Sequence, residues 1–180
     1  MKLEDYGSVI WLTGLSGAGK STLSALVLDA LREDMIPTIM LDGDELRDVV
    51  RDTNCGHDYD SRLLNAYRMS RLAKLIANQG YCVVVATMSM FHQIHAWNKT
   101  NLPQYFEVFV DVDISTARRR DPKGIYSENA GNIVGIDIKP EFPLHPHLTI
   151  NNNADAVDLY WQANQIKQSF YLNSDFVLAP

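Results

Sequence analysis

The run Gly14-Leu15-Ser16-Gly17-Ala18-Gly19-Lys20-Ser21 places glycines, a lysine and a hydroxyl at the spacing G-x-x-x-x-G-K-[ST]. Those residue types in that order suit the holding of phosphate. Glycines let the backbone curl until successive N–H groups point at phosphate oxygens, and the positive end of a following helix adds to the attraction. Lys20 is expected to reach the β- and γ-phosphates, and the Ser21 hydroxyl to help hold Mg²⁺. Gly14, Ser16, Gly17, Ala18, Gly19, Lys20, Ser21 and Thr22 are therefore the candidate residues for binding a nucleoside triphosphate.

A second group is Asp42-Gly43-Asp44 with Arg47 one helical turn on. One carboxylate there can position Mg²⁺, directly or through water, or accept a proton from an attacking hydroxyl. Helix capping by Asp44 is compatible with either role. The Arg47 guanidinium suits a phosphate or sulfate oxygen. Farther along, Arg118-Arg119-Arg120 leads into Asp121-Pro122-Lys123-Gly124, an arrangement that reads as a lid over transferring phosphate. Arg120 is the arginine favoured to neutralise charge there. A GTPase would need Asn-Lys-x-Asp, and Asn98-Lys99-Thr100-Asn101 lacks the aspartate. No transporter-ATPase signature is present, and the basic lid with Asp-x-Asp after the second strand favours a small-molecule kinase.

These groups need a scaffold, and the hydrophobic pattern supplies one. Val9–Thr13, Ile36–Leu41, Tyr81–Ala86, Phe106–Val110 and Leu148–Ile150 read as strands. Helical segments follow them: Thr22–Leu31, about Glu45–Arg51, a long helix ending at Asn78-Gln79-Gly80, Ile94–Thr100, Ser115–Arg120 and Ala154–Phe170. The long helix is expected to turn Leu63, Leu64, Tyr67, Leu72, Leu75 and Ile76 inward. Alternating β and α elements predict an α/β, doubly wound parallel sheet, with ligands at the carboxyl ends of the strands. The 180 residues fit one kinase domain with a lid around 118–146. A net charge of −6 argues against a broad nucleic-acid surface. The Met1–Asp5 stretch lacks the apolar core of a signal peptide, and no apolar run is long enough for a membrane span. Cys55 and Cys82 are isolated. A reducing, cytoplasmic setting follows, with a small-molecule nucleotide conjugate as partner, no nucleic acid and no membrane; a homodimer is compatible with the sequence.

Val9–Thr22, Leu41–Arg47, Arg120–Tyr126 and Gly135-Ile136-Asp137 together resemble the adenylylsulfate kinase family, a P-loop kinase family, in blocks spread from about Val9 to Ile150. The resemblance implies transfer of the ATP γ-phosphoryl group to the ribose 3′-hydroxyl of adenosine 5′-phosphosulfate (APS). By position it implies Asp44 as base or metal residue. It places Arg47, Arg62 and Asn65 on the acceptor nucleotide, Ser89 in the family's Ile-Ser-Pro motif, and Lys123 as a substrate-side lid lysine. The departures lie on the acceptor side. His57 and Ile133 stand where the family has phenylalanines against the acceptor adenine. Ser89-Met90-Phe91-His92-Gln93-Ile94-His95 replaces two family arginines by histidines. His92 and His95 read first as surface or packing residues, and second as phosphate contacts whose charge would fade above about pH 6.5. A metal role for them lacks a third ligand. Such changes resemble the branch of the family that contains cytidine diphosphoramidate kinases of capsule polysaccharide synthesis. Two other readings are a non-catalytic nucleotide-binding module and a kinase of a sugar or other small metabolite.

Overall fold

A computed structural model describes residues 7–50, 56–121, 124–126, 132–154 and 158–173. The first strand, β1 (Ser8–Thr13), leads into helix α1 (Lys20–Glu33). Strand β2 (Thr38–Asp42) is followed by α2 (Gly43–Val50) and the long α3 (Tyr59–Ala77). Then come β3 (Cys82–Thr87), α4 (His92–Asn101), β4 (Tyr105–Asp111), α5 (Ile114–Arg120), β5 (Leu148–Asn151) and α6 (Leu159–Asn173). The sheet runs β2-β3-β1-β4-β5, and every pairing is parallel. This is the doubly wound α/β architecture the pattern predicts.

Period-two alternation divides the core. Val9, Trp11, Val83 and Val85 face α3 and α4, packing with Ala66, Met69, Ala73 and Ile94. Ile10, Leu12, Val84, Val108 and Val110 face the other way, onto Leu23, Val27 and Leu31 of α1 and Ile166 and Phe170 of α6. Strands apolar on both faces are what a parallel sheet between helix layers requires.

Several boundaries differ from the sequence reading for identifiable reasons. Strand β2 starts after Pro37, which has no N–H to give the ladder, and extends to Asp42, which pairs with Ala86. Helix α6 begins at Leu159 because Asp158 caps it, its carboxylate accepting from the Trp161 N–H at 3.0 Å. The inner face of α3 is corrected in part: Leu63, Tyr67 and Ile76 pack against the core as expected. The buried residues are Asn65, Ala66, Met69, Ser70, Ala73 and Ala77, whereas Leu64 and Leu75 are exposed. Small side chains let the helix lie close to the sheet, and weighting by leucine alone misplaces the stripe. Among the described residues no helix is long and apolar enough to cross a membrane.

Phe170 is fully buried, with its ring 5.8 Å from that of Phe106. Phe170→Ala should destabilise the fold by about 3–5 kcal/mol, measurable as a lowered urea midpoint at unchanged slope.

Candidate active site

The donor loop emerges from β1 in the centre of the sheet and ends in α1, whose N-cap is Gly19 with no side-chain hydrogen bond. A helix start without a side-chain cap suits an anion. Gly19 has φ 91°, and a Cβ there would lie 2.7 Å from the Asn152 amide nitrogen. The loop is held from two sides. Buried Asn152, after β5, donates Nδ2–H to the Ala18 carbonyl at 2.8 Å, and the Tyr126 hydroxyl donates to the Ser16 carbonyl at 3.1 Å. Lys20 Nζ donates to the Leu15 carbonyl at 2.8 Å, so the ammonium is folded over the loop that would receive phosphate.

The Ser21 hydroxyl donates to Asp42 Oδ2 at 2.6 Å, and Asp42 Oδ1 accepts from the Asp44 N–H at 2.9 Å. Sequence reasoning paired Ser21 with Asp44 for metal; the structure brings Asp42 onto Ser21 and leaves Asp44 beside them in the cleft wall. A hydroxyl and a carboxylate are hard oxygen donors that suit Mg²⁺. Among the described residues no cluster of three or more His, Cys, Asp or Glu could hold a metal ion.

These groups open into one cleft of about 310 Å³. Its walls include Ser16, Lys20, Ser21, Asp42 and Asp44 on the donor side, and Arg47, His57, Arg62, Asn65, Ser89 and Ile133 beyond. Arg47 Nη1 donates to the Gly56 carbonyl at 3.0 Å. Arg62 donates to the carbonyls of His57 at 2.6 Å and Asn132 at 3.0 Å. Asn65 Oδ1 accepts from Arg68 at 3.2 Å, and the Ser89 and Thr87 hydroxyls are 2.9 Å apart. Ile133 is presented by a turn that Asp137 closes, its carboxylate accepting from the Ile133 N–H at 2.9 Å. Sequence reasoning missed Met69 and Ala66, which also line the cleft. Their signal was available: Arg62, Asn65, Ala66 and Met69 share one face of a 3.6-residue period.

Arg120 lies elsewhere. Its Nη2 donates to the Ala154 carbonyl at 3.0 Å on the β5–α6 connection, outside the cleft lining. Gly14, Gly17, Ala18, Gly19 and Thr22 belong to the loop and the start of α1 without lining the cleft, and Lys123 lies outside the described residues. The two histidines are not phosphate contacts in this arrangement. His95 is buried and paired through Nδ1 with Glu107 of β4; His92 bonds the Phe142 carbonyl at 3.0 Å.

Arginines and carboxylates both act on His57 and Arg62, Asp44 and Asp58 opposing a downward shift at each. Burial first, then the charges of Arg47 and Arg62, push the His57 imidazole below its ordinary 6.5. Burial and Arg47 likewise lower Arg62. His57 is therefore neutral at neutral pH. Because the folded midpoint lies below the unfolded one, His57 costs stability as pH falls from 6.5 through that lowered midpoint. An NMR titration should place His57 below 6.5, and a bound anionic nucleotide should raise it. Gly19→Ala should weaken ATP binding at least about tenfold, measured by calorimetry, since the new methyl meets Asn152 in a left-handed backbone.

The match to known proteins extends beyond this cleft. The adenylylsulphate kinase family profile covers residues 6–151. The chain is 40% identical over 158 residues to an adenylyl-sulfate kinase of Pseudomonas aeruginosa, covering 84% of this chain and 80% of that protein. It is 36% identical over 157 residues to a cytidine diphosphoramidate kinase of Campylobacter jejuni, covering 85% and 89%. Among solved structures, the Mycobacterium tuberculosis APS kinase in complex with AMPPNP and APS superimposes with a TM-score of 0.82 at 32% identity, over 92% of this chain and 98% of that one. With its P-loop cleft and a family match over most of its length, the chain belongs to the adenylylsulfate kinase family of nucleotide-binding phosphotransferases.

Proposed function

We propose that this protein is an ATP-dependent kinase that phosphorylates the ribose 3′-hydroxyl of a nucleotide conjugate. The observation that carries the reading is one cleft lined both by the phosphate-loop residues Lys20 and Ser21 and by the paired cations Arg47 and Arg62, with Asp44 in the same wall. Lys20 exchanges the Leu15 carbonyl for phosphate oxygens when ATP enters. Ser21 and Asp42 would hold Mg²⁺, with Asp44 close by; the ion supplies charge neutralisation on the β- and γ-phosphates. Asp44 orients the acceptor hydroxyl and takes its proton as the oxygen attacks the γ-phosphorus. The bond from that phosphorus to the β–γ bridging oxygen breaks, and ADP departs with the electron pair. Arg47 and Arg62 anchor the anionic part of the acceptor. Arg120 and Lys123 are the lid cations of this scheme, and Arg120 must leave the Ala154 carbonyl to take part. The chain is taken as one kinase domain with a lid around 118–146, acting in the cytoplasm.

APS is the acceptor that overall resemblance favours. A specific observation favours the second acceptor, cytidine diphosphoramidate: among the described residues, no Phe, Tyr or Trp lines the cleft. Loss of aromatic stacking removes on the order of 1–3 kcal/mol per base contact, which penalises a purine most. Phosphorus NMR with MgATP and each acceptor in turn tests both readings. A new 3′-phosphate signal with either compound supports the kinase assignment and identifies the acceptor. ATP binding without product from any nucleotide conjugate would instead indicate a non-catalytic module. Lys20→Ala should lower turnover by about 10²-fold or more while circular dichroism stays unchanged; wild-type turnover by that variant would overturn the donor assignment.

A further inference from the structure

Helix α4 follows Met88–Phe91, the loop that carries Met88 and Ser89 into the acceptor side of the cleft. Its N-cap, Phe91, offers no side-chain acceptor to the first-turn N–H groups. The missing cap comes from far along the chain. Glu141 Oε2 accepts from the His92 N–H at 2.5 Å, with the two residues 49 positions apart. The Glu141 N–H in turn donates to the Met90 carbonyl at 3.2 Å. The strap has two further attachments. His92 Nε2 bonds the Phe142 carbonyl at 3.0 Å, and the Phe142 ring packs 5.3 Å from that of Phe109 on β4. A carboxylate at a helix N-terminus is favoured both by its hydrogen bond and by the helix dipole.

We infer that Glu141 is a positioning residue for the acceptor, fixing the Met88–Phe91 loop by capping α4 across the chain. The inference rests on the kinase reading above. Glu141 does not line the cleft, so it acts through Ser89 and Met88 rather than by touching substrate. The same strap follows Ile133, eight residues earlier in a segment that also lines the cleft. Glu141 therefore holds the two acceptor walls in one frame, while the donor loop is fixed separately by Asn152 and Tyr126. That separation distinguishes a positioning role from a contribution to general stability.

The test compares the full-length wild type with Glu141→Ala and Glu141→Gln, using ATP and whichever acceptor is phosphorylated. Glu141→Ala should raise the acceptor KM about tenfold and leave the ATP KM within about twofold, with faster amide exchange confined to residues 88–95. Glu141→Gln keeps one carbonyl acceptor for the His92 N–H and should restore most of the acceptor KM. Equal rises in both KM values, or unchanged exchange over 88–95, would overturn the inference. A wild type that yields no product from any nucleotide conjugate would sink the kinase reading instead, and the exchange comparison would still decide whether Glu141 fixes the loop.

Discussion

Everything at this site depends on β1 being the central strand of a parallel sheet. Buried on both faces, it pairs with β3 on one side and β4 on the other, with Thr13 level with Thr87 and Phe109. Parallel pairing delivers the carboxyl ends of neighbouring strands to one edge. The donor loop, the Asp42–Asp44 carboxylates and the Thr87–Ser89 loop therefore converge although they are distant in sequence. An antiparallel neighbour would have sent one of these loops to the opposite edge. The cost of such an arrangement is long crossovers, which α1, α3 and α4 supply while covering both faces.

Within that frame, the cleft stores its cations on backbone carbonyls. Lys20 is held by Leu15, Arg47 by Gly56, and Arg62 by His57 and Asn132. Burial and the nearby arginines lower His57 and Arg62 while Asp44 and Asp58 raise them, so both signs of charge meet on this side of the cleft.

How much was legible in the sequence follows from how local each signal is. The phosphate loop is legible because its chemistry is contiguous: spacing, strand and helix all lie between Val9 and Leu31. Asp42 and Arg47 were accessible because they follow a strand in the expected order, whereas Ser89 came from the family resemblance. The alanine-rich inner face of α3 was hidden, since close helix–sheet packing selects small residues that carry little hydrophobic signal. Asn152 and Tyr126 were hidden for another reason. Each fixes a loop carbonyl more than 100 residues away, a pairing that only the folded topology creates. Arg120 exposes the same limit, because position after β4 predicts the region it reaches but not its hydrogen-bond partner.

The two histidines show how a burial requirement decides between chemical roles. Glu107 lies inside the sheet, where an isolated carboxylate is costly unless it is paired and hydrogen-bonded. His95 and the Tyr105 hydroxyl, which donates to Oε1 at 2.9 Å, meet that requirement. Burial and the adjacent carboxylate push the Tyr105 phenol well above its ordinary value, keeping it a donor. A histidine committed in this way cannot also swing into the cleft to meet phosphate. The arginines that line the cleft are Arg47 and Arg62, among the described residues. The resemblance places arginines at both histidine positions in related chains, and this chain keeps neither charge in its cleft.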